Sequence, residues 1–419
     1  MKVMVLGLRA LPGTAGGVES HCEQLYPLLA AAGVDVEILM RSPYVGQPEL
    51  QVWKGVRLHS LWSVRKTGVE SIFHTLLGVL YAARHRPDIL HIHSIGPAIF
   101  TPLARLLGLR VVVTCHAPDY RQAKWGRFAR WLLRTGERMA AQHADAVIAV
   151  SRHGGAALER DHGRQAHIVP NGVAPIDAAV VSTVLDDLGL QAGKYVLHVG
   201  RAIPDKRQDD LIRAFARADL PGWKLVLVGD LSGDDAYSTR VRGLAAQHER
   251  VVVAGFRCGS ALQSLFTHAG CFAFPSAVEG FAIALAEAIS AGCPVVASDI
   301  PANHEIELPA TGYFPVGDID AFAAALERAP TAMRPEALAA LRTRVLAEFS
   351  WPMIAQRTLH LYEGLLEGVP ADGADRREPV EVAVAPMPQR VVQEAPSVMR
   401  APVRTQAGSA VADVNHVRS

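Results

Sequence analysis

The chain has almost no net charge. Its 42 lysine and arginine residues face 41 aspartate and glutamate residues, which leaves a formal charge of +1 at pH 7. A protein that binds nucleic acid through a broad surface needs an overall excess of positive charge. The balance therefore predicts that nucleic acid is not a partner, and that any charged ligand is bound by local groups.

Cysteine pairs and long apolar runs are also missing. The five cysteines are odd in number and include no C-x2-C pair, so they predict neither a disulfide framework nor a zinc site. No apolar stretch approaches the roughly 20 residues of a membrane span, and the apolar N-terminal run stops at Arg9. We therefore expect no signal peptide, no membrane span, and a reducing, cytoplasmic location.

The C-terminal segment lacks the residues that build a core. Residues 368–419 contain six prolines and no aromatic residue. Such a segment cannot bury enough apolar surface to offset the entropy that it would lose on ordering. We expect a disordered tail over 368–419, whereas the rest of the chain is long enough for two domains of ordinary size.

Apolar strands alternate with amphipathic helices through the rest of the chain, which is typical of doubly wound α/β domains. Strands are predicted at 2–8, 34–40, 56–61, 88–93, 110–116, 145–151 and 167–173, and then at 195–199, 224–228, 251–254, 272–274 and 294–297. The sequence therefore predicts two Rossmann-like domains, 1–173 and 193–351, joined by a linker over 174–192.

The stretch 272–299 reads as strand, loop, helix and strand, and Glu279 and Glu287 are its only carboxylates before the final Asp299. A helix that is apolar on nearly all faces is buried, and a carboxylate on it would cost several kcal/mol, on the order of known penalties, without a partner. Ligand hydroxyls could supply that partner. The free N–H groups at the start of the helix suit a phosphate, so the stretch favours a sugar nucleotide.

A glycine-bearing loop follows the first strand and includes Gly16 and Gly17. The order strand, glycine loop, helix is typical of a phosphate or sugar cradle, but the spacing is not G-x-G-x-x-G. A nicotinamide dehydrogenase is therefore disfavoured, and a plain tight turn stays open as the alternative. The pair Asp318 and Asp320 is explained better as a helix N-cap than as a metal site.

Two cations follow the first strand of the second domain. Arg201 and Lys206 lie five residues apart in one loop, just after Gly200, so both could bind a single anion at the carboxyl end of the strand. The alternative is a solvated loop in which the cations pair with Asp205 and Asp209.

The spacing Glu-x7-Glu from Glu279 to Glu287 resembles the donor-binding motif of family 4 glycosyltransferases. The segment 58–145 resembles the rhamnosyltransferase-like branch of that family, through 93–98 and 123–131. The resemblance implies the GT-B fold, in which two Rossmann-like domains face a cleft and a C-terminal helix, about 352–367 here, crosses back to the first domain. It also implies transfer of a hexosyl unit from a nucleoside diphosphate sugar with retention of configuration and without a metal or other cofactor.

The resemblance also implies roles for individual residues. Arg201 and Lys206 would stabilise the leaving diphosphate, and Glu287 would bind the ribose hydroxyls. Glu279 would bind the hydroxyls of the donor sugar, and His116 would contact that sugar from the first domain, although Ala117 replaces the usual glycine. The remaining donor-binding positions implied by the family pattern are Gly16, Gly17, Gly200, Gly280 and Phe281. By contrast, a structural role is expected for His91 and His93.

Two rivals stay open beside the transferase. One is a sugar-nucleotide epimerase of the same fold, which would take no acceptor, and the other is a sugar-nucleotide-binding scaffold without catalysis. The Glu-x7-Glu pair favours the transferase. The resemblance points to a saccharide or lipid-linked saccharide acceptor in cell-surface polysaccharide biosynthesis.

The stretch 124–134 has the pattern of an interfacial helix. Basic residues fall on one arc of the helical wheel and apolar residues on the neighbouring arc, namely Lys124, Arg127, Arg130 and Arg134 beside Trp125, Phe128, Trp131 and Leu132. The segment 105–138 carries eight basic and two acidic residues. We expect peripheral contact with the inner face of a membrane. The alternative is that the apolar arc packs on the sheet of the first domain.

Overall fold

A computed structural model describes residues 1–14, 16–46, 50–64, 69–117, 120, 125–176 and 182–368. The predicted disordered tail beyond 368, part of the predicted linker and Lys124 lie outside these residues. The described residues form two α/β domains, one after the other along the chain, each built on its own sheet, as predicted. None of its helices is long and apolar enough to cross a membrane.

The first sheet has eight strands in the order β3-β4-β2-β1-β5-β6-β7-β8. All neighbours are parallel except β3 and β4. The strands are β1 (Lys2–Leu6), β2 (Asp35–Arg41), β3 (Val52–Trp53), β4 (Val56–Leu61), β5 (Ile89–His93), β6 (Val111–Cys115), β7 (Ala146–Ala149) and β8 (His167–Ile168). Because parallel strands are buried on both faces, they are apolar runs that the sequence reveals directly.

Two predictions about these strands were wrong. The strand predicted over 167–173 ends at Ile168, because Pro170 has no N–H to donate to a neighbouring strand and the following residues turn out of the sheet. The two-residue strand β3 was missed because it lies at the sheet edge, where Val52 is 56 % exposed and gives no apolar run.

Helices cover both faces of the first sheet. The helices of the first domain up to residue 173 are α1 (Gly17–Ala31), α2 (Val69–His85), α3 (Thr101–Leu106), α4 (Arg127–His143) and α5 (Arg152–His162). The core between the sheet and α1 also includes Ile354 and Tyr362, whereas α2 to α5 pack on the opposite face. Helix α4 begins at Arg127 rather than at 124, so Trp125 precedes the helix.

The second sheet has six parallel strands in the order β11-β10-β9-β12-β13-β14. They are β9 (Tyr195–Val199), β10 (Lys224–Val228), β11 (Val251–Gly255), β12 (Cys271–Phe274), β13 (Val295–Ser298) and β14 (Tyr313–Phe314). The two-residue edge strand β14 was not predicted. Since β9 and β12 are direct neighbours, the loops that follow them lie side by side.

The helices of the second domain also form two layers, with α7, α8 and α12 on one face and α9, α10 and α13 on the other. Their bounds are α6 (Val184–Asp187), α7 (Gln208–Arg217), α8 (Ala236–Ala246), α9 (Gly259–Thr267), α10 (Ile283–Ser290), α11 (Pro301–His304), α12 (Ile319–Ala332) and α13 (Pro335–Phe349). The side chain of Asp318 accepts a hydrogen bond from Ala321 N–H at 2.9 Å, which confirms its predicted role as a helix cap.

The chain passes between the domains twice, and the two passages lie against each other. Val173 forms a parallel bridge with Ser350, and its N–H donates to the carbonyl of Phe349 at 2.7 Å. The last helix, α14 (Trp351–Glu367), then packs against α1, so the predicted return to the first domain is confirmed. A Cβ at Gly172 would lie 2.3 Å from a ring carbon of Trp351, so this hinge has no room for a side chain.

We therefore expect Gly172→Ala to lower the stability of the protein. The buried indole of Trp351 cannot move away cheaply, and overpacking of this kind costs about 1–3 kcal/mol. The measurement is the midpoint of chemical denaturation followed by circular dichroism.

The matched control is Gly243→Ala. Gly243 lies within α8, where a Cβ would meet no atom within 4 Å, so this change should stabilise by about 0.5–1 kcal/mol. A midpoint for Gly172→Ala equal to that of the wild type would show that the hinge does not exclude a side chain.

Candidate active site

Residues of both domains line one pocket at the carboxyl ends of the strands. His116 and Ser151 follow β6 and β7 of the first domain, and Glu279 and Gly280 follow β12 of the second. Ligands of doubly wound sheets bind at this edge, because the loops there diverge and leave a crevice. The structure therefore brings together three residues that the sequence placed in one site, His116, Glu279 and Gly280.

Gly280 is a point at which the backbones of the two domains touch. A Cβ at Gly280 would lie 1.7 Å from the carbonyl oxygen of His116 and 3.1 Å from Cα of Ala117. Only glycine permits this approach. The close contact fixes the loop of the second domain against the loop that carries His116.

The helix that carries Glu287 begins at Ile283, three residues after Gly280. Ala282 has a non-helical backbone with ψ of 69°, and no side chain caps the helix. Phe281 is 5 % exposed and packs against Phe349, with ring centroids 5.2 Å apart. The side chain of Phe281 therefore belongs to the core of the second domain, and only its backbone could contact a donor.

Lys206 and Glu279 form an ion pair between Nζ and Oε1. Their side chains are 18 % and 13 % exposed, and Nζ also lies 5.1 Å from the ring centroid of Phe274. The backbone joins the same two loops, because Ala277 N–H donates to the carbonyl of Asp205 at 2.8 Å. The alternative in which Lys206 pairs with nearby aspartates in the sequence is therefore wrong.

Arg201 occupies a different environment from Lys206. Its side chain is exposed and makes no ion pair or hydrogen bond within the described residues, whereas its carbonyl accepts from Gln208 Nε2 at 2.8 Å. Asp209, its other proposed partner, lies 2.8 Å from Arg240. The convergence of Arg201 and Lys206 on one anion stays a prediction.

Glu287 lies on α10, whose other side chains are largely buried, as the sequence predicted. The residues on either side of Glu287 are buried, whereas Glu287 itself is half-buried. These neighbours are Leu285, Ala286, Ala288 and Ile289. The helix therefore holds this carboxylate at the boundary between core and surface, where a ligand can reach it.

The two glycines before α1 differ in their surroundings. A Cβ at Gly16 would lie 2.0 Å from Oε2 of Glu19, because this carboxylate packs against Gly16. Glu19 also pairs with Arg9, whose Nε lies 2.9 Å from Oε1 of Glu19. A Cβ at Gly17 would meet no atom within 4 Å. Gly16 therefore accommodates an ion pair, and Gly17 leaves the first turn of α1 open to a ligand.

A buried network of histidines and tyrosines lies behind His116. Nε2 of His116 is 2.9 Å from Nδ1 of His93, and Nε2 of His93 is 2.5 Å from Oη of Tyr26. His91 lies 2.5 Å from Oη of Tyr362 on α14 and 2.7 Å from Oγ1 of Thr114. These bonds give His91 and His93 the structural role that the sequence predicted.

Burial keeps these imidazoles neutral. It lowers the pKa of His91 to about 3, and it lowers the pKa values of His93 and His116 well below the usual range, with a smaller contribution from neighbouring histidines. At physiological pH each ring therefore has one N–H donor and one lone pair.

Two histidines of the site were missed by the sequence analysis. His21 on α1 lies 2.8 Å from Oδ1 of Asn171, and its ring centroid is 4.9 Å from that of His116. His198 on β9 donates through Nδ1–H to the carbonyl of Ala273 at 3.0 Å, and its buried Nε2, beside Gly200, has no hydrogen-bond partner among the residues that the structure describes. The position of His198 at the end of a buried strand was a signal that could have found it.

Comparisons with known proteins agree with this architecture. The family described as glycosyl transferase 4-like domain matches residues 16–172, and the family described as glycosyl transferases group 1 matches residues 187–333. The chain is similar to a D-inositol 3-phosphate glycosyltransferase of Xylanimonas cellulosilytica, at 27 % identity over 86 % of this chain and 95 % of the relative. It is also similar to a GDP-mannose-dependent alpha-mannosyltransferase of Mycolicibacterium smegmatis, at 28 % identity over 87 % and 98 %.

Solved structures share the fold. Sucrose-phosphate synthase from Thermosynechococcus elongatus superposes with a TM-score of 0.76 at 25 % identity, over 88 % of this chain and 99 % of that one. Anabaena HepE in complex with UDP-glucose superposes with a TM-score of 0.71 at 20 % identity, over 87 % and 100 %. Since the two families match in order along the two α/β domains, the chain is an enzyme of the family 4-like glycosyltransferases and has the GT-B fold.

Proposed function

We propose that the protein transfers a hexosyl unit from a nucleoside diphosphate sugar to a saccharide or lipid-linked saccharide. The observation that carries this proposal is the ion pair of Lys206 and Glu279 beside the contact of Gly280 with His116. A cation that can bind a diphosphate and a carboxylate that can accept hydrogen bonds from sugar hydroxyls thus lie together at the contact between the domains. The structure of HepE with UDP-glucose supports a donor of this class for the fold.

The ion pair suggests how the donor is recognised. Both side chains are mostly buried, so neither charge is stable there without a partner. A diphosphate would replace Glu279 as the partner of Lys206, and the hydroxyls of the donor sugar would replace Lys206 as the partners of Glu279. The exchange keeps both charges satisfied, and the uncapped start of α10 adds free N–H groups for the phosphates.

His116 supports the donor sugar from the opposite domain. Its ring is neutral because burial lowers its pKa, so it can hydrogen-bond a sugar hydroxyl without adding charge to the site. The Gly280 contact fixes the distance between His116 and the second domain. Residues from both domains would then hold the transferred sugar.

Paired polar groups near the glycine loop suit an uncharged saccharide as the acceptor. Arg9 pairs with Glu19, and Arg41 lies 3.2 Å from Glu70, which also accepts from Oη of Tyr44 at 2.8 Å. Such groups can exchange hydrogen bonds with many hydroxyls. This environment, together with the likeness of 58–145 to the rhamnosyltransferase-like branch, supports a role in building a cell-surface polysaccharide.

An assay with a panel of nucleotide sugars separates the transferase from its rivals. Product that forms only with an acceptor extract indicates a transferase, and a new nucleotide sugar without an acceptor indicates an epimerase. Tight binding of a nucleotide sugar without turnover indicates a scaffold. We expect product that depends on the acceptor.

We expect Arg201→Ala and Lys206→Ala each to lower turnover at least tenfold. A preorganised group that stabilises the leaving diphosphate is worth about 2–4 kcal/mol of barrier. The measurement is the steady-state rate with saturating donor. The control is Arg217→Ala, which removes an exposed cation that pairs with Asp320 on the surface. If both variants turn over like the wild type, the two cations do not serve the leaving group.

We expect the anomeric configuration of the donor sugar to be retained. In the donor complex proposed above, Glu279 is engaged with the hydroxyls of the donor sugar, so same-face attack with the diphosphate as base fits the site better than a covalent intermediate on this carboxylate. Proton NMR of the new linkage measures the configuration. An inverted anomer would contradict this mechanism.

We also propose that α4 contacts an anionic membrane surface. Phe128 is 74 % exposed and Trp131 is 59 % exposed, with their rings stacked at 5.8 Å. The alternative in which these two aromatics pack on the sheet is therefore wrong, since α4 uses Leu133 and small residues for that packing. Exposed Arg127 and Arg134 lie on the same helix as the aromatic pair, which is the arrangement of an interfacial helix.

One aromatic residue that the sequence placed on this surface, Trp125, does not belong to it. It precedes the helix and packs partly buried with Ile95, Tyr120 and Leu133, so it is not part of the exposed arc. The proposed membrane contact therefore rests on Phe128, Trp131 and the arginines around them.

We expect the double reversal Arg127→Glu and Arg134→Glu to abolish sedimentation with anionic liposomes at low salt. Each cation near an anionic leaflet contributes about 1 kcal/mol, and reversal replaces attraction with repulsion. The control reverses Arg328 and Arg334, which are exposed on the second domain and change the net charge equally. If the wild type pellets equally with neutral and anionic lipid, or if the two double variants behave alike, α4 is not a membrane contact.

A further inference from the structure

Three histidines converge on one point beside the cleft. His21 comes from α1, His93 ends β5 and His116 follows β6, and each offers a ring nitrogen within 4.8 Å of the other two. We propose that these three histidines bind one divalent transition-metal ion of the zinc class. Three imidazoles with an open fourth position form a known type of zinc coordination.

The distances suit such an ion after a small adjustment. Three nitrogens at about 2.0–2.1 Å from a tetrahedral Zn²⁺ lie roughly 3.3–3.4 Å apart. Nδ1 of His93 and Nε2 of His116 are 2.9 Å apart in a hydrogen bond, and the third nitrogen lies somewhat farther away, within 4.8 Å. Coordination would require the nitrogens of His93 and His116 to separate by about 0.5 Å and the third nitrogen to approach by up to about 1.5 Å, shifts that side-chain rotations can supply.

Outer hydrogen bonds hold two of the rings. His21 donates through Nδ1–H to Oδ1 of Asn171 at 2.8 Å, which leaves the lone pair on Nε2. Oη of Tyr26 lies 2.5 Å from Nε2 of His93, on the side of the ring away from His116. Metal-binding histidines typically use their second nitrogen in this way, because the bond fixes the ring orientation and the tautomer.

The charge state of the three imidazoles and the exposure of His116 to the pocket also favour metal binding. A neutral imidazole is the form that coordinates a metal, and burial keeps these rings neutral. His21 and His93 are buried, but His116 is partly exposed and lines the pocket with Glu279. The fourth position of the ion would therefore face the pocket and take a water molecule. The proton now shared by His93 and His116 would move to Nδ1 of His116, so no net proton is released.

This site would make the enzyme sensitive to zinc. This consequence rests on the proposed function: an ion on Nε2 of His116 would place its water in the part of the pocket where the donor sugar contacts His116. Metal and donor would then exclude each other, and Zn²⁺ would inhibit competitively against the nucleotide sugar.

The test uses the full chain without an affinity tag and with Co²⁺ as a spectroscopic probe. Exposed Cys258 is first changed to serine, since a thiol could bind the probe elsewhere. We expect one Co²⁺ per chain by equilibrium dialysis and the intense visible absorption of a four- or five-coordinate ion. The absorption should disappear in His21→Ala and His93→Ala but persist in His360→Ala, which changes an exposed histidine on α14.

A milder variant keeps the test decisive if a histidine variant does not fold. Asn171→Ala removes only the outer hydrogen bond of His21, and loss of such a bond weakens metal affinity by about 10–100-fold. Absence of Co²⁺ binding by the wild type, or equal binding by the wild type, His21→Ala and Asn171→Ala, would overturn the proposal. Because Co²⁺ absorption does not depend on turnover, this result is independent of whether the protein transfers a hexosyl unit.

Discussion

Gly280 meets the carbonyl oxygen of His116 with no space for a side chain between them, and the geometry of the cleft depends on this contact. It ties the loop after β12 to the loop after β6, which otherwise belong to separate cores. The same loop carries Glu279, whose carboxylate pairs with Lys206 after β9. This backbone contact thus places the histidine of the first domain next to the charged pair of the second.

Most of the charged side chains described in this region are paired with a side chain of opposite charge. Lys206 is paired with Glu279, Arg9 with Glu19 and Arg41 with Glu70. A partly buried charge without a partner would be costly, so these three cations each lie against a carboxylate, whereas Arg201 is exposed to solvent. This explains how a protein with a net charge of +1 can still offer a site for a strongly anionic donor.

The last helix contributes to the site although it is the most distant in sequence. Tyr362 on α14 bonds to His91, whose neighbour His93 bonds to His116. Trp351 at the start of α14 packs edge-on against His21, with ring centroids 5.5 Å apart. The return of the chain across the hinge therefore supports the histidines from behind, and the network is complete only when α14 is docked.

The sequence by itself determined the alternation of strands and helices, the two-domain architecture and the helix that carries Glu287. Buried parallel strands are apolar runs, and helices on a sheet repeat their apolar residues every three or four positions, so both leave a local signal. Short edge strands such as β3 and β14 bury too few residues to leave one.

Only the tertiary structure decided which side chains meet. From the sequence, Lys206 could pair with nearby aspartates, yet its partner Glu279 lies 73 residues away. The pairing follows from the strand order, because β9 and β12 are neighbours and their loops emerge side by side. The burial of Phe281, the exposure of Phe128 and the approach of His21 to His116 likewise depend on elements that are far apart in the chain. Local sequence patterns show whether a segment forms a helix or a strand. Which residues become neighbours in space is fixed only when the sheets have formed.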